Sequence, residues 1–500
     1  MKKQIIYRVA GFGVIFFVLL YVLTVLLMPK PTKELAINTS SSLGFYHEPE
    51  NTIDVLYIGS SHTFCSFSPI DIFHNYGITG YVRGSSCQKI WASETVLEDS
   101  LRTQNPKVVV FEVMMMFDLA PQTEAFNREI YDSLRPSNTK YQGVATTLEK
   151  STDEDFLSYV FPIMRYHDRW STLEKDDFTF FQESRHMVTK GYFPRQNVVP
   201  VTDYNPGMYQ ISDMEPYQYT QETIEYLQRM KNLCDERGIA FVMVKAPTHF
   251  SYFWDGSKSL AATQIAEQLG VPYIDFNIGE YAELIDWDTE SLDGGNHINY
   301  AGAMKVSNEF GEWLTSHFSF EDKRIDPKYE VWNTDYEIYE KELALYTIKN
   351  ATTFEQYMET LLKNDLYKDY LLVISSKEDA LNQITQNQSQ LLSNIGNTLT
   401  YEQGGCAQAN LFMSYQGNVL VQEQSDGELM VSMEQSGHHI ELTSQPLYGG
   451  NYNSVIIDGV ECSKNKRGLD IVIYDLENNK LVDSAVFDYT ENSQFIRVPD

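Results

Sequence analysis

The first two thirds of the chain alternate between two spacings of apolar residues. Four short apolar runs have the length and composition of buried strands: Ile53 to Ile58, Lys107 to Val113, Ile239 to Lys245 and Val271 to Phe276. Segments between them, such as Thr220 to Arg237, repeat apolar residues at helical spacing and end at glycine. Strands that alternate with helices in this way predict an α/β domain in which helices cover both faces of a parallel sheet.

Two stretches depart from this alternation. Residues 118–220 are rich in aromatic and charged side chains and lack the pattern, which predicts an insertion or lid. From residue 350 onward, a helix–strand–helix unit through Gly396 is followed by short strands without helices between them. The domains expected are therefore an α/β domain at 50–325 and a smaller α+β domain at 350–500.

The N-terminus carries one long apolar run. Val9 to Met28 is twenty residues without a charge, enough to cross about 30 Å of hydrocarbon as a helix. Basic residues lie on both sides of the run, so the positive-inside bias only weakly favours a cytoplasmic N-terminus. A cleaved signal peptide is the rival interpretation, but no small-x-small site follows the run. Residues 1–34 are predicted to be a cytoplasmic tip and an uncleaved anchor in the plasma membrane, with the bulk of the chain extracytoplasmic.

Composition removes several classes of function. The formal net charge of -31 argues against nucleic acid or anionic lipid headgroups as the main partner, because a polyanion would be repelled. The five cysteines are scattered and show no metal-ligand spacing, so neither a metal site nor a cofactor is predicted. Cys406 with Cys462 is the one pair that we allow as a disulfide.

A candidate nucleophile lies at the end of the first predicted strand. That strand leads into Gly59, Ser60 and Ser61, and a small-residue turn at this edge of an open α/β sheet is where reactive groups are placed. Serine becomes a nucleophile only if a base reaches its proton. His297 follows the last predicted strand, in a loop that returns to the same edge. Asp293, just upstream, could orient the imidazole, as in serine–histidine–acid arrangements.

In this order the residues resemble the SGNH/GDSL hydrolase superfamily, and are most similar to its membrane-anchored DltD-like and AlgX-like members. Ser61 matches the first block, Gly84 the second, and Asp293 with His297 the last, over residues 50–320. The resemblance implies a three-layer α/β/α sandwich. It also implies an oxyanion hole formed by the backbone N–H groups of Ser61 and Gly84.

The sequence departs from that family in three places. Ser60 stands where the family usually has aspartate. Asp293 lies four residues before His297 instead of three, so that the glycines between them must absorb one residue or Asp286 or Asp288 must serve instead. No third block is visible, and Glu112 at the equivalent strand end would have the wrong charge for an oxyanion donor.

Four further residues are candidates for the substrate pocket. Ser86 follows the second block, and His62 adjoins the nucleophile, where it either lines the pocket or caps the helix. Arg165 and His167 belong to a basic, aromatic stretch that suits an anionic sugar or carboxylate. The alternative for that stretch is a salt-bridged helix of the lid.

The C-terminal region resembles a second family, the interleukin-like EMT inducer (ILEI) domain. The matching stretches are Leu371 to Asp379, Arg467 to Asp475 and Asp483 to Asp488. Relatives of that domain include a glycan-binding module, so the resemblance implies carbohydrate binding. A structural spacer is the alternative.

Together these features predict a membrane-anchored serine O-acyltransferase or esterase that acts on acyl groups, acetyl in the first instance, of cell-surface polysaccharide. A multi-spanning membrane acyltransferase is the partner expected for acyl transfer. The alternative is a non-catalytic surface protein that binds or assembles glycan on a decayed SGNH fold.

Overall fold

The computed structural model describes residues 2–30, 37–151, 153–179, 186–378, 383–399, 408–489 and 494–499. The chain divides into two compact units, Met1–Tyr336 and Glu337–Asp500. Cys406 lies outside the described residues, so its pairing with Cys462 stays a prediction.

A five-stranded parallel sheet forms the centre of the first unit. Its strands are β1 (Val55–Gly59), β2 (Gly80–Gly84), β3 (Val108–Glu112), β4 (Ala240–Lys245) and β5 (Tyr273–Asp275). They lie in the order β2-β1-β3-β4-β5, and every neighbouring pair is parallel. The predicted α/β class is confirmed, and all five strands present their carboxyl ends at one edge.

The burial of the sheet explains why the apolar pattern predicted some strands and not others. Every residue of β1 and β3 is buried, because helices cover both faces of a parallel sheet. The pattern did not predict β2, whose sequence contains two glycines and an arginine. Arg83 is buried there because its guanidinium lies 3.4 Å from an Asp99 carboxylate oxygen and 4.4 Å from the Phe45 ring centroid.

Thirteen α-helices lie within the described part of the first unit before its last helix begins. They are α1 (Lys2–Leu27), α2 (Ile37–Phe45), α3 (Ser61–Ser66), α4 (Pro69–Tyr76), α5 (Ile90–Ser100), α6 (Glu124–Tyr131), α7 (Asn138–Lys150), α8 (Phe156–Val160), α9 (Ile163–Tyr166), α10 (Lys175–Thr179), α11 (Gln221–Asp235), α12 (Gly256–Leu269) and α13 (Tyr300–His317). Short 3₁₀ helices occur at His167–Ser171, Pro206–Tyr209, Ile211–Asp213, Gly279–Tyr281 and Pro327–Tyr329.

Helix α1 is the only described helix with the length and hydropathy of a membrane span. Within Gln4–Leu27, an 18-residue window has a mean hydropathy of 2.7, and none of that window is buried inside the protein. A signal sequence would have the same character, so the topology of the anchor stays a prediction.

The second unit is built from antiparallel sheets, as the α+β prediction required. The helices are α14 (Glu330–Asn350), which begins in the first unit, α15 (Phe354–Lys363), α16 (Leu366–Asp369) and α17 (Gln386–Asn394). The strands are β6 (Leu371–Lys377), β7 (Ala409–Tyr415), β8 (Asn418–Ser425), β9 (Leu429–Gln435), β10 (His438–Ser444), β11 (Asn453–Ile457), β12 (Val460–Glu461), β13 (Gly468–Asp475), β14 (Lys480–Tyr489) and β15 (Phe495–Arg497). They form one six-stranded and one four-stranded sheet.

Candidate active site

The turn after β1 places Ser61 at the first position of α3. Ser60 is the N-cap, and its hydroxyl accepts a hydrogen bond from the His62 backbone N–H at 3.4 Å. The first N–H groups of a helix have no partner inside it, so the Ser61 N–H is left to point out of the helix start. Gly59 has to be glycine, because a Cβ there would come within 2.8 Å of the Glu112 Cβ.

Gly84 lies against the same turn from the neighbouring strand. It is the register partner of Gly59 at the end of β2, and a Cβ at Gly84 would lie 3.0 Å from the Ser60 carbonyl oxygen. Ser85 donates its backbone N–H to the Gly59 carbonyl at 3.3 Å, and half-buried Ser86 follows it in the turn after β2. Gly84 is therefore beside the turn that carries Ser61, and the oxyanion hole formed by the two N–H groups stays a prediction.

His297 bridges Ser61 and Asp293. The His297 Nε2 lies 2.8 Å from the Ser61 Oγ, and its Nδ1 lies 2.7 Å from an Asp293 carboxylate oxygen. The other carboxylate oxygen accepts the His297 backbone N–H at 2.7 Å. Burial opposes ionisation of Asp293, but the hydrogen bonds from His297 outweigh it and lower the pKa of Asp293. This is the spatial order of a serine–histidine–acid relay.

The four-residue spacing is absorbed by two glycines between the acid and the base. Gly294 and Gly295 have φ of +79° and +102°, conformations that residues with a side chain rarely adopt. The loop closes where the Leu292 N–H donates to the His297 carbonyl at 2.9 Å. Asp286 and Asp288 are not part of it. Asp286 instead accepts hydrogen bonds within its own turn, from the Asp288 N–H and the Thr289 hydroxyl.

His62 packs against the base. The ring is buried, and its centroid lies 4.6 Å from that of His297. Burial, followed by the positive charges of Lys245 and His297, holds the pKa of His62 well below its usual range. His62 is thus a neutral, buried ring packed beside the His297 imidazole, with the two ring planes 34° apart.

The sequence analysis missed the structural role of Glu112 and Lys245. One Glu112 oxygen accepts hydrogen bonds from the Ser60 hydroxyl and the Met114 N–H, both at 3.2 Å. The other accepts the Ala246 N–H and lies 3.4 Å from the Lys245 Nζ. Burial raises the pKa of Glu112 and lowers that of Lys245. The pair ties the ends of β3 and β4 to the nucleophile turn that follows β1. The signal that could have revealed it is an opposite charge at the end of two successive apolar strands.

Arg165 and His167 lie elsewhere. Arg165 forms an ion pair with Glu124, with its Nε 2.9 Å from the carboxylate, and the His167 Nδ1 lies 3.1 Å from the Met164 carbonyl oxygen. No contact described for either side chain involves Ser61 or His297. The salt-bridged helix that the sequence left as an alternative matches the Arg165 contact.

A cavity adjoins the loop that carries His297, and its residues were not predicted. Its volume is about 280 Å³, and its rings come from Tyr204, Tyr209, His249, Phe276, Tyr281 and Trp287. The wall is joined to the loop because the His249 N–H donates to the Gly295 carbonyl, and the Thr248 hydroxyl donates to the Asn296 carbonyl. The cavity lies at the ends of β4 and β5, two to three strands from β1, which corresponds to roughly 12 Å at normal strand spacing.

No protein-family model matches the sequence, and no curated protein matches it. Among solved structures, the chain is similar to a protein from Bacteroides fragilis assigned as an acylhydrolase, with 11% identity and a TM-score of 0.26 over 58% of this chain and 98% of that one. It is also similar to a GDSL-like lipase from Bacteroides thetaiotaomicron, with 11% identity and a TM-score of 0.25 over 53% of this chain and 88% of that one. Similarity at this level does not transfer an activity, so a functional assignment has to come from the site itself.

Proposed function

We propose that this chain is a serine-dependent enzyme that cleaves or transfers an acyl group. The observation that carries the proposal is the continuous relay from the Ser61 Oγ through His297 to Asp293, with both steps at hydrogen-bond distance, 2.8 and 2.7 Å. A serine acquires nucleophilic strength from such a base, and the base is held in the correct tautomer by the acid.

The proposed reaction follows from those contacts. The Ser61 Oγ attacks the acyl carbonyl while the His297 Nε2 accepts its proton, and Asp293 stabilises the imidazolium. The N–H groups of Ser61 and Gly84 donate hydrogen bonds to the carbonyl oxygen and stabilise the negative charge that develops on it. His297 then returns the proton to the leaving alcohol, and an acyl group remains on Ser61. A second alcohol or water repeats the sequence in reverse and releases the acyl group.

The acyl-transfer proposal predicts a covalent adduct on Ser61. We expect a fluorophosphonate to label this residue in the full-length protein in detergent, as mapped by peptide mass spectrometry. Replacing His297 by alanine should slow labelling by about 10²- to 10⁴-fold, the usual contribution of a general base. The exposed His317 on α13 provides the matched control, and His317→Ala should label at the wild-type rate. A folded protein that is not labelled on Ser61 would favour the non-catalytic glycan-binding alternative.

For the acceptor, we propose a sugar hydroxyl of a cell-surface polysaccharide, which makes the enzyme an O-acyltransferase. The cavity beside the His297 loop supports this choice. It combines aromatic rings with the polar side chains of Asn205, Gln210 and Glu283, a lining that suits a ligand with both apolar faces and hydroxyl groups. A polymer bound there would extend toward Ser61 across two to three strands of the sheet, which corresponds to roughly 12 Å at normal strand spacing. Transfer then competes with water because an oriented acceptor reaches effective molarities of about 10⁵ M or more.

Acceptor binding in the cavity predicts a change in the product ratio. With an activated acetyl ester and an acetylatable oligosaccharide, the wild-type protein should shift product from acetate to acetylated glycan, as measured by acetate release and glycan mass. Trp287→Ala should reduce the acetylated fraction by roughly tenfold, equivalent to about 1.4 kcal/mol of acceptor binding. Tyr252→Ala, an exposed tyrosine outside the cavity lining, should not change it. A hydrolysis rate that no glycan alters, without mass gain on any glycan, would make the enzyme an esterase.

The remaining parts of the proposal concern location and the second unit. We propose that α1 anchors the chain in the plasma membrane with both units outside the cytoplasm, where a multi-spanning acyltransferase could supply acyl groups. The hydropathy of Gln4–Leu27 supports the anchor. For the second unit we retain the ILEI-like, carbohydrate-binding hypothesis. Its support is the sequence resemblance at β6, β13 and β14, which are neighbours in the six-stranded sheet.

A further inference from the structure

The segment from Phe156 to Phe178 exposes an unusual set of large apolar side chains. Trp170 is 73% exposed, Phe178 60% and Leu157 51%. Phe156, Phe161 and Met164 are exposed as well. Single exposed apolar residues are ordinary, but a concentration of them within one short segment marks a surface that contacts something other than water.

From Ile163 onward, this segment contacts the apolar helix. Helices α9 and α10 and the 3₁₀ helix between them all contact α1. Arg169 donates a hydrogen bond from Nη1 to the Leu27 carbonyl at 2.8 Å, and its Nη2 lies 3.2 Å from Asp177. Residues 4–23 of α1 are almost entirely exposed, whereas Thr24 to Leu27 are half-buried or buried. The protein therefore covers only the last turn of α1.

The position of that last turn fixes the depth of the segment. At 1.5 Å per residue, the 24 residues of Gln4–Leu27 extend for about 36 Å, slightly more than the ~30 Å hydrocarbon core. If α1 spans the bilayer, Leu27 lies at the boundary between acyl chains and headgroups. Side chains beside Leu27 lie at the same depth. Tryptophan is enriched at that depth, and arginine can extend its charged end toward the headgroups.

We propose that residues 156–178 form a membrane platform, a second contact with the bilayer in which α1 is anchored. The apolar side chains insert at the headgroup–acyl boundary, with Trp170 as the central contact. The inference rests on the membrane anchoring proposed above. Helix α1 alone attaches the protein to the membrane at one point, and the platform would add a second attachment point beside it. The first unit would then be held in a fixed orientation at the membrane surface.

Quenching by brominated lipid tests the platform directly. The full-length protein is reconstituted into phosphatidylcholine vesicles with or without bromine on the acyl chains, and tryptophan emission is compared. Helix α1 contains no tryptophan, so the anchor itself contributes no signal. Trp91, Trp254 and Trp332 are fully buried. We expect bromine to quench wild-type emission and Trp170→Phe to remove most of that quenching. Trp313→Phe, at a half-buried position on α13, is the matched control and should retain it.

Each result bears on a different part of the inference. Protein that floats with the vesicles and shows equal quenching in the wild type and Trp170→Phe contradicts the platform but leaves the anchor intact. The same result would follow if a partner protein, rather than lipid, covered this surface. Protein that does not float with vesicles contradicts the anchor, and the platform with it. Neither result bears on the relay at Ser61, which the labelling experiment tests independently.

Discussion

Replacing Ser61 by alanine is expected to lower kcat for an activated acetyl ester by about 10⁶-fold, the loss typical when the nucleophile of a serine relay is removed. The variant lacks the Ser61 Oγ, which forms the acyl-enzyme in the proposed reaction, while His297 and the proposed N–H donors remain. A residual rate about 10³- to 10⁴-fold above that in water should persist because binding and the oxyanion donors still act. Initial rates, corrected for the uncatalysed reaction, provide the measurement.

The neighbouring serine provides a matched control. The Ser60 hydroxyl caps α3 and donates to Glu112, and no hydrogen bond described for it involves His297. Ser60→Ala should therefore cost about 1 kcal/mol of stability through the lost cap, with a much smaller loss of kcat. Ser61→Ala should change the free energy of unfolding by no more than about 0.5 kcal/mol. Equal losses of kcat in the two variants would show that the turn matters and that Ser61 is not the nucleophile.

The sheet could be predicted from sequence where burial on both faces determines composition. Strands β1, β3 and β4 are continuous apolar runs, and each was placed within two residues of its observed ends. Strand β2 was missed because the glycines at both ends and the charged Arg83 break that pattern. What compensates for the buried arginine is Asp99, sixteen residues away on α5. This contact joins a strand to a helix, so the spacing of residues within either element does not reveal it.

The site could likewise be predicted from sequence only where its residues follow the ends of strands. Ser61 and His297 follow strand ends, and in a parallel sheet all such ends lie at one edge, so sequence order alone brings the two residues together. Predicting the Glu112–Lys245 pair would have required the register of β3 and β4, in which Glu112 is the partner of Val244. Predicting the cavity would have required the path of the insertion, because Tyr204 and Tyr209 come from a region without a periodic pattern. Loops of this kind are positioned by tertiary contacts, which short-range spacing does not encode.

Sequence spacing also left three carboxylates open as the partner of His297, and geometry now separates them. Replacing Asp293 by asparagine should lower kcat by about 10⁴-fold with little change in fold. An asparagine amide that donates to Nδ1 would leave the imidazole proton on Nε2, and a protonated Nε2 cannot accept the Ser61 proton. Asp286→Asn and Asp288→Asn are the controls, since Asp286 only closes its own turn, and both should stay within about threefold of the wild type. Esterase rates that survive Asp293→Asn but disappear in either control would assign the acid elsewhere. Full activity in all three would mean that His297 needs no acid.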